Sequence, residues 1–183
     1  TSEERALEAQ TQERVMMLPV SELHDFPGHP FQVRDDEEME KLAESITQHG
    51  VLMPGLVRPR AAGGYEIVAG HRRKFASMKA GVREMPVIVR NMDDDTAVIL
   101  MVDSNVQREN VLPSEKARAY KMKLDAMKRQ GERTDLTSAG IRQKLSSVQK
   151  IADDAGEGKT KIQQYIKIND LIPELLEMVD GNE

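Results

Sequence analysis

The chain has 183 residues, 39 % apolar and 31 % charged, enough for one or two globular domains with modest cores. With no cysteine there can be no disulfide, thiol nucleophile or cysteine-ligated zinc, and no apolar run approaches the roughly 20 residues that span a bilayer. A net charge of −5 would argue against a nucleic-acid partner only if the charge were evenly spread.

In chain order, residues 1–14 read as a polar arm, and Val15 to Val20 as a short strand. His29-Pro30-Phe31-Gln32-Val33-Arg34 is extended, because residues at and before proline avoid the helical region. Asp35 or Asp36 starts a helix with Met39, Leu42, Ala43 and Ile46 at helical spacing, closed by Gly50. Leu56 to Arg60 and Tyr65 to Ala69 form a hairpin around Ala61-Ala62-Gly63-Gly64. A helix runs from His71 to about Ala80, and Pro86 to Arg90 is another β-rich run. Beyond Asn91 the strand signals stop. Asp95 or Thr96 caps a helix through about Asp103, and Pro113 to Gln130 carries Ala117, Tyr120, Leu124 and Met127 on one stripe, ending at Gly131. Gly131 to Leu145 is expected to hold a loop and a short helix, and Val148 to Val179 two or three helices. The fold class is α+β. A small mixed α/β domain spans 15–92, linking helices 93–130, and an all-α helix-turn-helix domain 131–183.

Charge is segregated along this plan. Twelve acids crowd residues 1–50, whereas Arg58, Arg60, Arg72, Arg73, Lys74, Lys79, Arg83 and Arg90 face only Glu66 and Glu84 between Val57 and Arg90. A second basic excess runs from Lys128 to Lys167. Local potential governs phosphate binding, although an ordinary solvated surface shows the same pattern.

Val148 to Lys167 has the spacing of a helix-turn-helix. Ala152 is the small residue at the helix contact, Gly156 tolerates the left-handed turn, and Ile162 and Tyr165 anchor the second helix, with Ile151 and Ala155 completing the core. That helix would expose Lys159, Thr160, Lys161, Gln163, Gln164 and Lys167. Glutamine can pair bidentately with adenine, and lysine meets guanine or phosphate. A generic helical hairpin is the competing explanation. Gly158-Lys159-Thr160 is no P-loop, since Asp153 stands where its first glycine belongs and no strand precedes it.

Two further segments carry chemistry. In Tyr65-Glu66-Ile67-Val68-Ala69-Gly70-His71-Arg72-Arg73, a strand and a glycine lead into a helix start, where free N–H groups and forked arginines suit a phosphate. A surface helix with two arginines is the equally ordinary account. In Asp103-Ser104-Asn105-Val106-Gln107-Arg108-Glu109-Asn110 a helix ends in a polar cluster. An oxygen there could ligate Mg²⁺ held by a phosphate, with Arg108 bracing it. A helix cap and solvated loop fit equally well.

Together these segments resemble the ParB/Spo0J/Noc family of partition proteins, over nearly the whole chain from Val15 onward. The extended segment 29–34 is similar to the family's first box, Gly70-His71-Arg72-Arg73 to its second, and Asn105-Val106-Gln107-Arg108-Glu109 to its third. The resemblance implies a ParB/sulfiredoxin-like N-terminal domain and a DNA clamp that binds CTP with Mg²⁺, reads a centromere-like palindrome and slowly hydrolyses CTP. Gly70, His71, Arg72 and Arg73 would then hold the triphosphate, with Gln32 and Arg34 at its border and Arg108 beside it. Asn105 would position Mg²⁺. The family's third box usually opens with a glutamate used for Mg²⁺ and hydrolysis. Here Ser104 stands in its place, with Asp103 one residue earlier as the candidate substitute. Implied too are a homodimer, a ParA-type ATPase partner and a cytoplasmic, nucleoid-associated location in a prokaryote, with no membrane role. The family's C-terminal dimerisation domain has no counterpart in these residues. A repressor or nucleoid-occlusion protein on the same scaffold stays open, as does, from a different class, a nucleotide-dependent phosphotransferase of the sulfiredoxin-like fold.

Overall fold

The computed structural model describes residues 14–108, 110–134, 140–171 and 173–181. Residues 1–13 of the polar arm therefore lie outside the described residues, as do residues 135–139 of the expected loop. The chain packs into two units: residues up to Pro27 with Val33–Met92, and Gly28–Gln32 with Asp93 onward.

In the first unit, among the described residues, alternating apolar positions build a five-stranded sheet in the order β1-β5-β3-β4-β2. The strands are β1 (Val15–Pro19), β2 (Leu23–His24, after a 3-10 turn at Val20–Glu22), β3 (Gly55–Pro59), β4 (Tyr65–Ala69) and β5 (Glu84–Val89). β3 and β4 are the expected antiparallel hairpin, with Val57 opposite Ile67. β5 returns parallel to β3 and antiparallel to β1. Leu18, Val20, Leu23, Val57, Ile67, Met85 and Val87 form one core cluster, each large aliphatic side chain contributing about 1.5–3 kcal/mol of burial.

Helix α1 (Glu37–His49) and helix α2 (His71–Lys79) pack together through Met39, Ala43, Ile46 and Ala76. Of the two residues expected to start α1, Asp36 does so, its carboxylate accepting from the Met39 N–H at 3.0 Å. Gly50 closes the helix at φ +71. Asp36→Ala is expected to cost about 1 kcal/mol, the usual worth of such a cap, read as a lower thermal midpoint with an unchanged helix signal.

The second unit is helical: α3 (Asp94–Asp103), α4 (Pro113–Thr134), α5 (Gly140–Ala155), α6 (Lys159–Ile168) and α7 (Pro173–Gly181). Phe31, Val102, Val106, Ala119, Tyr120, Leu124, Val148, Ile151, Ala152 and Ile162 share one core, so α3 and α4 pack with the helix-turn-helix itself. Three boundaries differ from expectation. Asp93, not Asp95 or Thr96, caps α3 by accepting from the Thr96 N–H at 2.8 Å. Asp95 is instead buried, 2.7 Å from the Arg129 guanidinium. α4 continues through Gly131 to Thr134, because Gly131 keeps helical backbone angles and only a left-handed glycine would have ended it. α5 begins at Gly140, so residues 140–145 extend the first helix of the pair rather than form a separate short one.

Candidate functional site

In the first unit, β4 delivers the chain into Gly70 at φ +116, directly before the first turn of α2. A Cβ here would lie 3.3 Å from the Gly55 Cα and from the Arg73 Nη2, so only glycine lets the two main chains approach. The N–H groups of a first helical turn carry partial positive charge. The two arginines of this box are used differently. Arg73 donates from Nη1 to the carbonyls of Met53 at 2.7 Å and Pro54 at 2.6 Å, and burial lowers its pKa from the usual value. It buttresses the turn. Arg72 reaches Glu38 at 3.2 Å in a pair whose carboxylate is more than half exposed. Such a pair is worth little in water. His71 is buried. Arg34, also in this unit, is exposed.

The other candidate residues lie in the second unit. The Gln32 side chain is exposed, while its backbone N–H donates to Glu115 Oε1 at 2.8 Å. The other Glu115 oxygen accepts from the Leu112 N–H at 3.0 Å. With Phe31 only 3 % exposed in the core, residues 28–32 are pinned to the start of α4.

At the end of α3, Asn105 donates from Nδ2 to the Met101 carbonyl at 2.8 Å and receives Arg108 on its amide oxygen at 3.3 Å. Asp103 accepts from the Lys123 ammonium. The two oxygens expected to ligate Mg²⁺ are thus each met by a cationic side chain. Among the described residues no three His, Asp or Glu side chains cluster as a metal site. A nucleotide-held Mg²⁺ takes one or two protein oxygens beside the phosphates, and Asp103 keeps a side chain 39 % exposed.

The helix pair α5–α6 follows its sequence pattern residue by residue. Ala152 and Ile151 are 1 % exposed and Ile162 fully buried, while Gly156 turns the chain at φ +66. Tyr165 packs on the same core and lies 5.7 Å, centroid to centroid, from Tyr120. Outward from α6 stand Thr160, Lys161, Gln163, Gln164 and Lys167, with Lys159 half-buried. Lys161 is held from the side by Glu157 at 2.7 Å. That hydrogen bond and the charge of Glu157 raise its pKa. Lys161 thus meets a neighbour on its own chain while its side chain stays more than half exposed.

Sequence reasoning passed over Lys123 and Glu115, though each left a signal. Lys123 falls between Tyr120 and Met127 on the buried stripe of α4, a charge where the period calls for an apolar residue. Leu112 and Glu115 flank Pro113 with the spacing of a helix start.

An α/β unit with a glycine-led helix start and a helical unit carrying a helix-turn-helix define the class of fold. The description "ParB N-terminal domain" matches residues 4–106, and the chain belongs to that family. It is 32 % identical over 182 residues to the chromosome-partitioning protein Spo0J of Thermus thermophilus, covering 98 % of this chain and 61 % of that protein. It is 33 % identical over 176 residues to a nucleoid occlusion protein of Geobacillus sp., covering 96 % and 56 %. The chain thus spans about three fifths of the length of these curated relatives. Among solved structures, C-terminally truncated ParB from Caulobacter crescentus complexed to the centromeric parS site is similar, with a TM-score of 0.62 and 25 % identity, covering 91 % of this chain and 78 % of that one.

Proposed function

We propose that this chain is the DNA- and nucleotide-binding part of a partition protein. α6 reads base edges of a centromere-like palindromic duplex, and the Gly70 turn holds the phosphates of CTP. The observation that carries this reading is the seating of Ile162 against Ala152 across the Gly156 turn. That seating leaves Thr160, Gln163, Gln164 and Lys167 outward on one short helix, the chemistry a major groove recognises. The parS-bound Caulobacter protein and the partition role in the name of the Thermus relative support it.

For the nucleotide, the support is the glycine approach at Gly70 and the exposed Arg72–Glu38 pair. Gln32, Arg34, Asn105 and Arg108 are proposed as further nucleotide contacts on the motif pattern alone. A palindromic site calls for a homodimer, because two-fold DNA symmetry is met by two-fold protein symmetry. A ParA-type ATPase is the proposed partner. The Geobacillus relative favours a second reading, nucleoid occlusion with the same reader on differently placed sites.

The test is calorimetric titration of the chain with CTP, ATP and GTP in Mg²⁺, with and without a duplex that the chain itself enriches from a random pool. Selective CTP binding and a selectable duplex are expected. No preference for any duplex over bulk DNA would remove the reading. Within it, Gln163→Ala is expected to weaken the selected duplex by about 1–3 kcal/mol and other DNA hardly at all. Equal losses on every duplex would reassign Gln163 to the backbone.

A further inference from the structure

The Lys123 side chain is 2 % exposed, at the middle of α4, yet it carries an ammonium. A charge so far from water costs several kcal/mol unless paired. Two carboxylates pair it here. Asp103, the last residue of α3, lies 2.5 Å away, and Asp154, in the last turn of α5, lies 2.7 Å away. The two acids come from helices that are far apart in sequence, and both remain about 40 % exposed. One compact ammonium can satisfy both only while the end of α3 and the end of α5 stay within its reach. A second tie joins the same two places, Gln107 Nε2 donating to the Asp154 carbonyl at 3.3 Å. Two residues beyond Asp154 comes Gly156, the turn that launches α6.

Buried ion groups rarely add stability over a well-packed apolar replacement, and their best-attested use is to select one arrangement among several. The arrangement selected here is the seat of the helix-turn-helix. We propose that Lys123 is a positioning residue for DNA reading. Shared by Asp103 and Asp154, it fixes the end of α5 against the third-box turn and thereby sets how α6 is presented. The inference rests on the DNA-reading function proposed above, and it gives Asp103 a structural role.

The test uses the whole 183-residue chain carrying Lys123→Met, Asp103→Asn and Asp154→Asn together, which removes every charge of the group while nearly keeping its shape. Thermal midpoint, affinity for the enriched duplex and affinity for an unrelated duplex at the same salt are read side by side. The expected result is a midpoint at or above that of the unmodified chain, with the ratio of the two affinities reduced about tenfold, because the fold survives without the ions but the seat does not. A ratio within about twofold of the unmodified chain would overturn the proposal. If the triple variant does not fold, Asp103→Asn alone decides. Lys123 then keeps Asp154 as its partner, and a loss of about threefold in the ratio is expected for one weakened arm, while an unchanged ratio overturns the proposal. An unmodified chain that enriches no duplex refutes the DNA-reading function itself, before any variant is made, and takes this inference with it.

Discussion

Ile162→Ala is expected to lower the stability of the helical unit by about 2–5 kcal/mol and to abolish selective DNA binding with it. Ile162 is fully buried in one core with Val148, Ile151, Ala152 and residues of α4. It is the only residue of α6 that is fully buried among the described residues. A ten-residue helix is too short to persist in water without tertiary packing, so the anchor decides whether the reading face exists at all. Urea unfolding followed by helix signal, with amide exchange over residues 159–168, checks the result. A loss below about 1 kcal/mol, with α6 still protected, would mean the helix is seated by something other than this side chain.

Gly70→Ala is expected to remove CTP binding while leaving recognition of the enriched duplex by the helical unit intact. At φ +116 an alanine is strained, at a cost of about 1–3 kcal/mol. Its Cβ would also meet the Gly55 Cα at 3.3 Å, a main-chain atom that cannot swing aside. The turn then has to shift by a few tenths of an ångström on top of the backbone strain, moving the first-turn N–H groups proposed to face the phosphate. Calorimetry with CTP, with circular dichroism as the folding control, reads the effect. Normal CTP affinity in a folded Gly70→Ala chain would place the phosphate elsewhere.

Much of this was legible in the sequence because the relevant physics is local. The period of Met39, Ala43 and Ile46, the cap at Asp36, the glycine hairpin at 61–64 and the Ala152–Gly156–Ile162 spacing each depend on residues within a few turns of one another. What escaped was set by partners distant in sequence. Asp95 was read as a cap, but Arg129 on α4 claims it and leaves the cap to Asp93. The Lys123 ammonium that Asp103 meets comes from α4, twenty residues on. Gly131 was read as a stop, yet a glycine ends a helix only when its backbone turns left-handed, and composition does not say when it will. The use of Arg73 to hold the Met53 and Pro54 carbonyls was equally invisible, since it depends on where the 51–54 loop lies relative to α2.

The close approach of Gly70 to Gly55 bears on how such a protein can diverge. Where two backbones touch, neither position offers a side chain through which selection could adjust a ligand preference. A compensating change at one cannot rescue a larger residue at the other, because both are already at their minimum size. A library randomised at residues 55 and 70 should therefore yield mainly chains in which this turn is lost, whatever they are screened against.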